Sequence, residues 1–175
     1  VKELKIMLLV DSHCHLDSLD YQTLHQNVDD ALAKAKARDV GYVLAVATTL
    51  PGYRSMTELI GERNDVAFSC GVHPLNLEEG YDYAELRRLA AAEQVVALGE
   101  TGLDYFYQKD NLELQQDSFR EHIRIGRDLN KPVIVHTRDA RADTLAILRE
   151  ENAQDCGGVL HCFTEDLATA EALLD

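Results

Sequence analysis

The sequence lacks several features that mark other classes of protein. Among its 175 residues there is no Trp, and its four cysteines form no Cys-x-x-Cys pair. No apolar run is long enough to cross a membrane, and the first residues, VKELKIMLLVDSH, become polar too soon for a secretory signal. We therefore expect a cytoplasmic protein with reduced thiols and no membrane partner. A natural start at Met7, with residues 1–6 as an N-terminal extension, stays open.

Positive charge is also scarce. The chain has 17 Lys and Arg against 31 Asp and Glu, a formal net charge of −14. This balance argues against a protein that coats nucleic acid through a broad basic face. It leaves room for an enzyme that captures one phosphate at bound cations, because the ions supply positive charge locally. No Gly-x-Gly-x-x-Gly or P-loop follows any apolar run, so a nucleotide-binding protein would lack its phosphate cradle.

Six short apolar runs recur along the chain, and each is nearly continuous in hydrophobicity. Such runs are typical of strands buried on both faces of a parallel sheet. They lie at 5–11, 42–48, 66–72, 95–100, 132–137 and 158–163. Helical patterns separate them, without a Pro-rich linker or a low-complexity segment. We therefore predict an α/β fold of about six β/α units in a single domain, residues 1–175.

The helix boundaries are predicted from apolar spacing and from capping residues. Leu24, Val28 and Leu32 recur four residues apart, which places the first helix in a pattern that starts near residue 21. Side chains that cap helices mark the other boundaries. The expected caps are Asp82, Asp139 and Thr164 at helix starts and Asn130 at a helix end.

The stretch VDSHCHLD, residues 10–17, places two histidines one residue apart at the end of the first apolar run. In a strand, residues two apart share a face, so His13 and His15 are predicted to project together while Cys14 faces the other way. Two converging imidazoles make half of a metal site. The alternative is that these histidines make surface hydrogen bonds at a strand end.

Potential metal ligands recur at the ends of the later runs. His73 follows the third run, Glu100 the fourth, His136 the fifth and His161 the sixth. The carboxyl ends of the strands carry the chemistry in a β/α barrel, so we predict a metal site there. Imidazoles and carboxylates suit Zn²⁺, Mn²⁺ or Fe²⁺, and carboxylates with waters also suit Mg²⁺. The remaining histidines, His25 and His122, fall inside helical patterns and are predicted to be surface residues.

Five motifs resemble, in order and spacing, those of the TatD-type metal-dependent hydrolases, relatives of the amidohydrolases that include deoxyribonucleases. The resemblance to the YcfH-like bacterial branch of that family is very close. The motifs are VDSHCHLD, CGVHPL, ALGETGLDY, PVIVHTRDA and GVLHCF, and the resemblance covers residues 7–175. It implies a TIM-type (β/α)8 barrel with two divalent cations, Mg²⁺, Mn²⁺ or Zn²⁺. It further implies cleavage of phosphodiester bonds by an activated water, as a 3′-5′ exonuclease on single-stranded DNA or DNA 3′ ends.

The resemblance also assigns roles by motif position. His13, His15 and Glu100 would hold one metal, and Glu100, His136 and His161 the other, with Glu100 as the bridge. Such a metal pair stabilises the oxygens of an in-line displacement at phosphorus.

Three further residues receive roles around that pair. His73 and Arg138 are candidates to bind the scissile phosphate, and with Glu100 they form the predicted catalytic set. For Arg138, a structural pair with Asp139 or Asp143 stays an equal alternative. Asp104 is expected to orient a ligand or a loop from outside the ligand set.

The sequence departs from the family at its end. The family barrel has eight strands and a late acidic metal ligand, whereas this sequence ends at Asp175 after about six units. We therefore expect a barrel truncated before strands seven and eight, with open sheet edges. Two other functions stay open: an ester or amide hydrolase on the same frame, such as an aminoacyl-tRNA deacylase, and an inactive fragment that binds metal.

Overall fold

The computed structural model describes residues 8–174, and six parallel strands form one sheet within them. Each predicted apolar run becomes a strand, and each strand pairs with the next one in the chain, in the order β1 to β6. The strands are β1 Leu9–Cys14, β2 Val40–Ala45, β3 Val66–Cys70, β4 Val95–Asp104, β5 Val133–Arg138 and β6 Gly158–Leu160. The predicted parallel α/β arrangement is therefore confirmed. Residues 5–7 of the first predicted run lie outside the described residues.

Helices connect the strands and cover one face of the sheet. They are α1 Val28–Lys36, α2 Leu50–Ile60, α3 Tyr83–Ala90, α4 Leu112–Leu129, α5 Arg141–Glu150 and α6 Leu167–Leu174. The main core combines helix residues such as Phe119 with strand residues such as Leu98 and Val135. Within the described part of the chain, no helix is both long and apolar enough to span a membrane.

The opposite face of the sheet carries a second, smaller core. Val46, Ala97 and Ile134 form it, and Leu44 packs against them. These positions alternate with the main-core residues of the same strands, because successive side chains of a strand point to opposite faces. The central strands β3 and β4 are therefore buried on both faces along almost their whole length. The outer strands β1 and β6 are largely exposed, so for them the expectation of burial on both faces is wrong.

Two of the four predicted helix caps are confirmed. The Asp82 carboxylate accepts the backbone N–H groups of Ala84 and Glu85 at the start of α3. Asn130 adopts the left-handed conformation, with φ of 51°, where α4 ends. Asn and Gly tolerate this conformation best, so the residue type and the helix end agree.

The predictions for Asp139 and Thr164 are wrong. Asp139 has φ of 52° and precedes Ala140, the residue that flanks α5 without a side-chain cap. At α6 the capping carboxylate belongs to Asp166, which accepts the N–H of Thr169. Both helices therefore begin one or two residues later than the sequence predicted.

The first helix is also shorter than predicted. It begins at Val28, where the Asn27 side chain accepts the N–H of Asp30. The preceding residues form a turn in which Asp20 accepts the N–H groups of Gln22 and Thr23. This local hydrogen bonding competes with the helix and leaves the Leu24 side chain 66% exposed.

Candidate metal centre

Glu100 is the centre of a cluster that four strands build at their carboxyl ends. The side chain is 5% exposed, and each carboxylate oxygen faces a pair of imidazoles. Oε2 lies 3.4 Å from His13 Nε2 and 3.8 Å from His15 Nε2. Oε1 lies 3.5 Å from His136 Nδ1 and 3.8 Å from His73 Nε2. The cluster thus has two halves that share one carboxylate.

Close packing of β3 against β4 contributes to this convergence. A Cβ atom on Gly71 would lie 2.5 Å from the Gly99 Cα, so only glycine allows the two backbones to approach so closely. The Glu100 N–H donates to the Ala47 carbonyl, and the His73 N–H donates to the Thr48 carbonyl. The backbones that carry Glu100 and His73 are therefore both tied to the segment that follows β2.

His13 and His15 form the first half as the spacing predicted. Their ring centroids are 5.2 Å apart, and both rings face the same carboxylate oxygen. The His15 Nδ1 lies 3.0 Å from the Val46 carbonyl and donates its proton there, which leaves a lone pair on Nε2. Among the described residues, the buried His13 Nε2 has no hydrogen-bond partner. An unsatisfied buried nitrogen beside a carboxylate fits a divalent cation.

His136 is also arranged like a metal ligand. Its Nε2 lies 2.9 Å from Asp104 Oδ2 and donates to that carboxylate. The Nδ1 atom, which faces Glu100, then holds the lone pair. A ligating histidine that donates its other N–H to a carboxylate is the usual arrangement in metal sites. Burial lowers the pKa of His136, but its contacts with Glu100 and Asp104 outweigh burial and raise it overall.

His73 has the opposite tautomer. Its Nδ1 accepts the backbone N–H of Leu75 at 3.1 Å, so the neutral ring carries its proton on Nε2, the atom that faces Glu100. Burial lowers the pKa of His73 to about 4, against an opposing effect of Glu100. The ring is therefore neutral at pH 7. Distance alone would allow His73, Glu100 and His136 to hold one ion, but a protonated nitrogen donates a hydrogen bond and cannot coordinate a metal.

Glu100 stays ionised in spite of its burial. Burial alone would raise its pKa, but contacts with the His13 and His136 imidazoles and the proximity of His73 lower it well below the usual range. A buried carboxylate whose two oxygens each face a pair of imidazoles is suited to bridging cations.

His161 lies beside the first half of the cluster. Its ring stacks on His13 with centroids 3.4 Å apart and planes 10° from parallel. The residue follows the short strand β6 in a turn, and burial and the adjacent His13 lower its pKa. The structure does not bring His161 into the group with Glu100 and His136 that the motif order predicted. Its role as a metal ligand stays a prediction.

Asp104 contacts both a candidate ligand and a loop. Besides its contact with His136, its Oδ1 accepts the N–H groups of Phe106 at 3.1 Å and Tyr107 at 2.8 Å. The side chain is 1% exposed. The two contacts that the sequence offered as alternatives for Asp104 are both present.

Arg138 is exposed and makes neither of the ion pairs considered for it. Its guanidinium lies above the rings of Phe106 and Tyr107, 4.2 and 4.6 Å from their centroids. Asp143 instead accepts from the Tyr105 hydroxyl at 2.7 Å. Among the described residues no carboxylate pairs with Arg138, so its charge remains available at the end of β5, two residues after His136.

The prediction that His122 lies on the surface is wrong. The side chain is fully buried in α4, where Nδ1 donates to the Ser118 carbonyl and Nε2 accepts the N–H of Val72. This bond fixes the backbone next to His73. His122 lies three residues after Phe119, on the apolar stripe of α4, and that position is the signal that could have identified it. His25 lies in the turn before α1, partly exposed, with Nδ1 4.0 Å from Asp30 Oδ2.

The fold and this cluster define a class, a parallel α/β protein with a histidine and carboxylate centre at its strand ends. A family model described as TatD related DNase matches residues 10–175. The chain belongs to the TatD family, which confirms the resemblance found in the motifs.

Individual relatives agree with this assignment. The chain is 72% identical over 169 residues to YcfH of Escherichia coli K12, an uncharacterized metal-dependent hydrolase. The matched region covers 97% of this chain and 64% of that relative. The chain is also 36% identical over 138 residues to the 3′-5′ ssDNA/RNA exonuclease TatD of Cronobacter sakazakii. That match covers 78% of this chain and 52% of the relative.

A solved structure shows the same fold. The TatD homologue YjjV of E. coli K12 superposes with a TM-score of 0.85 at 26% identity, over 97% of this chain and 65% of that one. The chain thus spans a little under two thirds of YcfH and of YjjV. The fold is that expected for part of a TIM-type barrel.

Proposed function

We propose that this protein is a divalent-metal-dependent hydrolase that cleaves phosphodiester bonds at the 3′ end of single-stranded DNA. The observation that carries the proposal is the Glu100 carboxylate, with one oxygen facing His13 and His15 and the other facing His136. In support, a matched relative bears the name of a 3′-5′ ssDNA/RNA exonuclease. Two cations, Mg²⁺, Mn²⁺ or Zn²⁺, are the proposed cofactors.

The residues fit such a pair of cations. His13, His15 and Glu100 would hold one, and Glu100 and His136 would hold the other, to which His161 stays the predicted additional ligand. Bound divalent cations activate a water and stabilise charge on phosphate oxygens. Asp104 would keep His136 in the tautomer that binds metal, because it accepts the Nε2 proton.

His73 and Arg138 are proposed to bind the phosphate. The His73 Nε2–H is a neutral donor directed into the cluster, and the Arg138 guanidinium has no competing carboxylate among the described residues. Donors placed where charge develops in the transition state stabilise it. Both side chains would therefore hold the scissile group against Glu100 and its cations.

The proposal is tested by metal content and cleavage together. Elemental mass spectrometry should find about two metals per chain in a monodisperse fraction, and a 3′-labelled single-stranded oligonucleotide should lose its label only with added Mn²⁺ or Mg²⁺. The Glu100→Gln variant should lose both metal and cleavage. The exposed Glu93 provides a matched control, since Glu93→Gln should change neither.

Two other results would redirect the assignment. Rapid turnover of an aminoacyl ester or an amide without cleavage of any oligonucleotide would identify a different hydrolase on the same frame, because activated water attacks carbon as well as phosphorus. Bound metal without turnover of any substrate would favour a metal-binding protein.

A further inference from the structure

Two aromatic rings are exposed beside the candidate metal centre. Phe106 is 45% and Tyr107 62% exposed, and both lie directly after β4, the strand that carries Glu100 and Asp104. Single exposed apolar side chains are ordinary in soluble proteins. These two are adjacent, however, with ring centroids 4.8 Å apart and planes 88° from parallel.

The loop that carries the rings is held firmly by buried side chains. Asp104 accepts both of their backbone N–H groups. The fully buried Gln115 accepts the N–H of Asp104 and donates to the carbonyls of Asp104 and Gln108. Since Asp104 also contacts His136, the same carboxylate sets the position of the loop and of a candidate metal ligand.

Arg138 completes the arrangement from the neighbouring strand. Asp104 pairs with Arg138 in the β4–β5 register, and the N–H of Tyr105 donates to the Arg138 carbonyl at 2.9 Å. The guanidinium lies above both rings, and cation–π contacts hold it there. It places a positive charge beside the rings in a protein whose net charge is −14. The spacing of two along β5 places Arg138 and His136 on the same face.

We propose that Phe106, Tyr107 and Arg138 form a nucleotide subsite, in which an aromatic ring stacks on a base of the DNA end and Arg138 contacts its phosphate. The inference rests on the proposed function and adds a substrate requirement to it: the nucleotide must carry a base. Aromatic rings beside a cation are the means by which single-stranded nucleic acid is bound without regard to sequence. An amino acid ester or a lactone would gain little from stacking on such a surface.

The test compares DNA ends that carry or lack a base. Wild-type protein, as the full natural chain loaded with Mn²⁺, receives oligonucleotides that are normal or abasic at the last or the penultimate nucleotide. We expect one abasic position to reduce kcat/KM roughly tenfold, the effect of one lost stacking contact. The double variant Phe106→Ala/Tyr107→Ala should lose a similar factor on the normal strand and little further on the abasic one.

Two controls separate a subsite from general damage. The double variant should keep the wild-type metal content, and Tyr83→Ala, which removes an aromatic side chain that is 37% exposed on α3, should cleave normally. Arg138→Lys, which keeps the charge without the planar group, should raise KM for both strands.

The outcomes distinguish this inference from the function on which it rests. Equal kcat/KM on normal and abasic ends, with cleavage intact, would overturn the subsite and leave the nuclease standing. Absence of cleavage and binding for every oligonucleotide would overturn both. A double variant that is impaired equally on normal and abasic strands would also contradict stacking, because the rings would then act without a base.

Discussion

The two halves of the Glu100 cluster differ in how the chain builds them. His13 and His15 come from one short stretch, two residues apart, and both rings face Oε2. His73 and His136 come from different parts of the sheet and face Oε1 with different nitrogens, Nε2 and Nδ1. In the second half, the hydrogen bond on the far side of each ring assigns its role. Proximity to a carboxylate therefore does not by itself make a histidine a ligand.

The largest effect is expected at the residue that the two halves share. Glu100→Gln keeps the shape of the side chain but removes the negative charge that faces both imidazole pairs. We expect the metal content to fall to near zero and cleavage to fall by at least about a thousandfold, because the site loses the anionic ligand that its two halves share. Metal titration followed by a cleavage assay measures both quantities. Retention of two metals in the variant would show that the halves do not share a ligand.

The second-largest effect is expected at Asp104, whose carboxylate accepts the Nε2 proton of His136. Asp104→Asn keeps one oxygen, which the two loop N–H groups hold, and so places its amide NH2 group opposite the His136 Nε2 in place of the acceptor that fixes the Nε2–H tautomer. Changes of this kind cost about 10- to 100-fold in metal affinity, and here the loss should fall on the His136 half alone. Titration of metal-free protein with Mn²⁺ should show one weakened and one unchanged site. Equal weakening of both sites would contradict the division into halves.

A smaller effect concerns stability rather than metal. Burial lowers the pKa of His122 to about 4 from an ordinary value of 6.5. Between these values the unfolded chain binds a proton at this ring and the folded chain does not, so stability is lost as the pH falls from 6.5 to 4. The free energy of unfolding of the metal-free protein should drop by about 3 kcal/mol from this group between pH 7 and pH 4.

The variant His122→Gln isolates that contribution. Its amide oxygen keeps an acceptor for the Val72 N–H but does not titrate. Urea unfolding at pH 7 and at pH 4 gives the free energy of unfolding of wild type and variant. The difference between the two proteins in this free energy should change by about 3 kcal/mol from pH 7 to pH 4. A difference that stays constant with pH would mean that the folded chain accepts the proton at this ring.

Much of this architecture follows from local sequence patterns. Continuous apolar runs indicated the six strands, and the His-x-His spacing indicated that two imidazoles share a face, because strand periodicity is a local property. Asp82 and Asn130 were predictable as caps for the same reason.

Features that depend on distant partners could not be predicted in this way. The tautomer of His136 depends on Asp104, which comes from another strand. The stacking of His161 on His13 joins the two ends of the described sheet, so no spacing within one motif could indicate it. His122 was misassigned because its polar type outweighed its place on an apolar stripe.

The most direct measurement compares metal content per chain in His136→Ala and His73→Ala, determined by elemental mass spectrometry on monodisperse fractions. The tautomers predict that His136→Ala loses one metal of two. His73→Ala should keep both and lose cleavage instead, because it removes a hydrogen-bond donor and not a ligand. Loss of one metal from His73→Ala, with two retained in His136→Ala, would contradict the account.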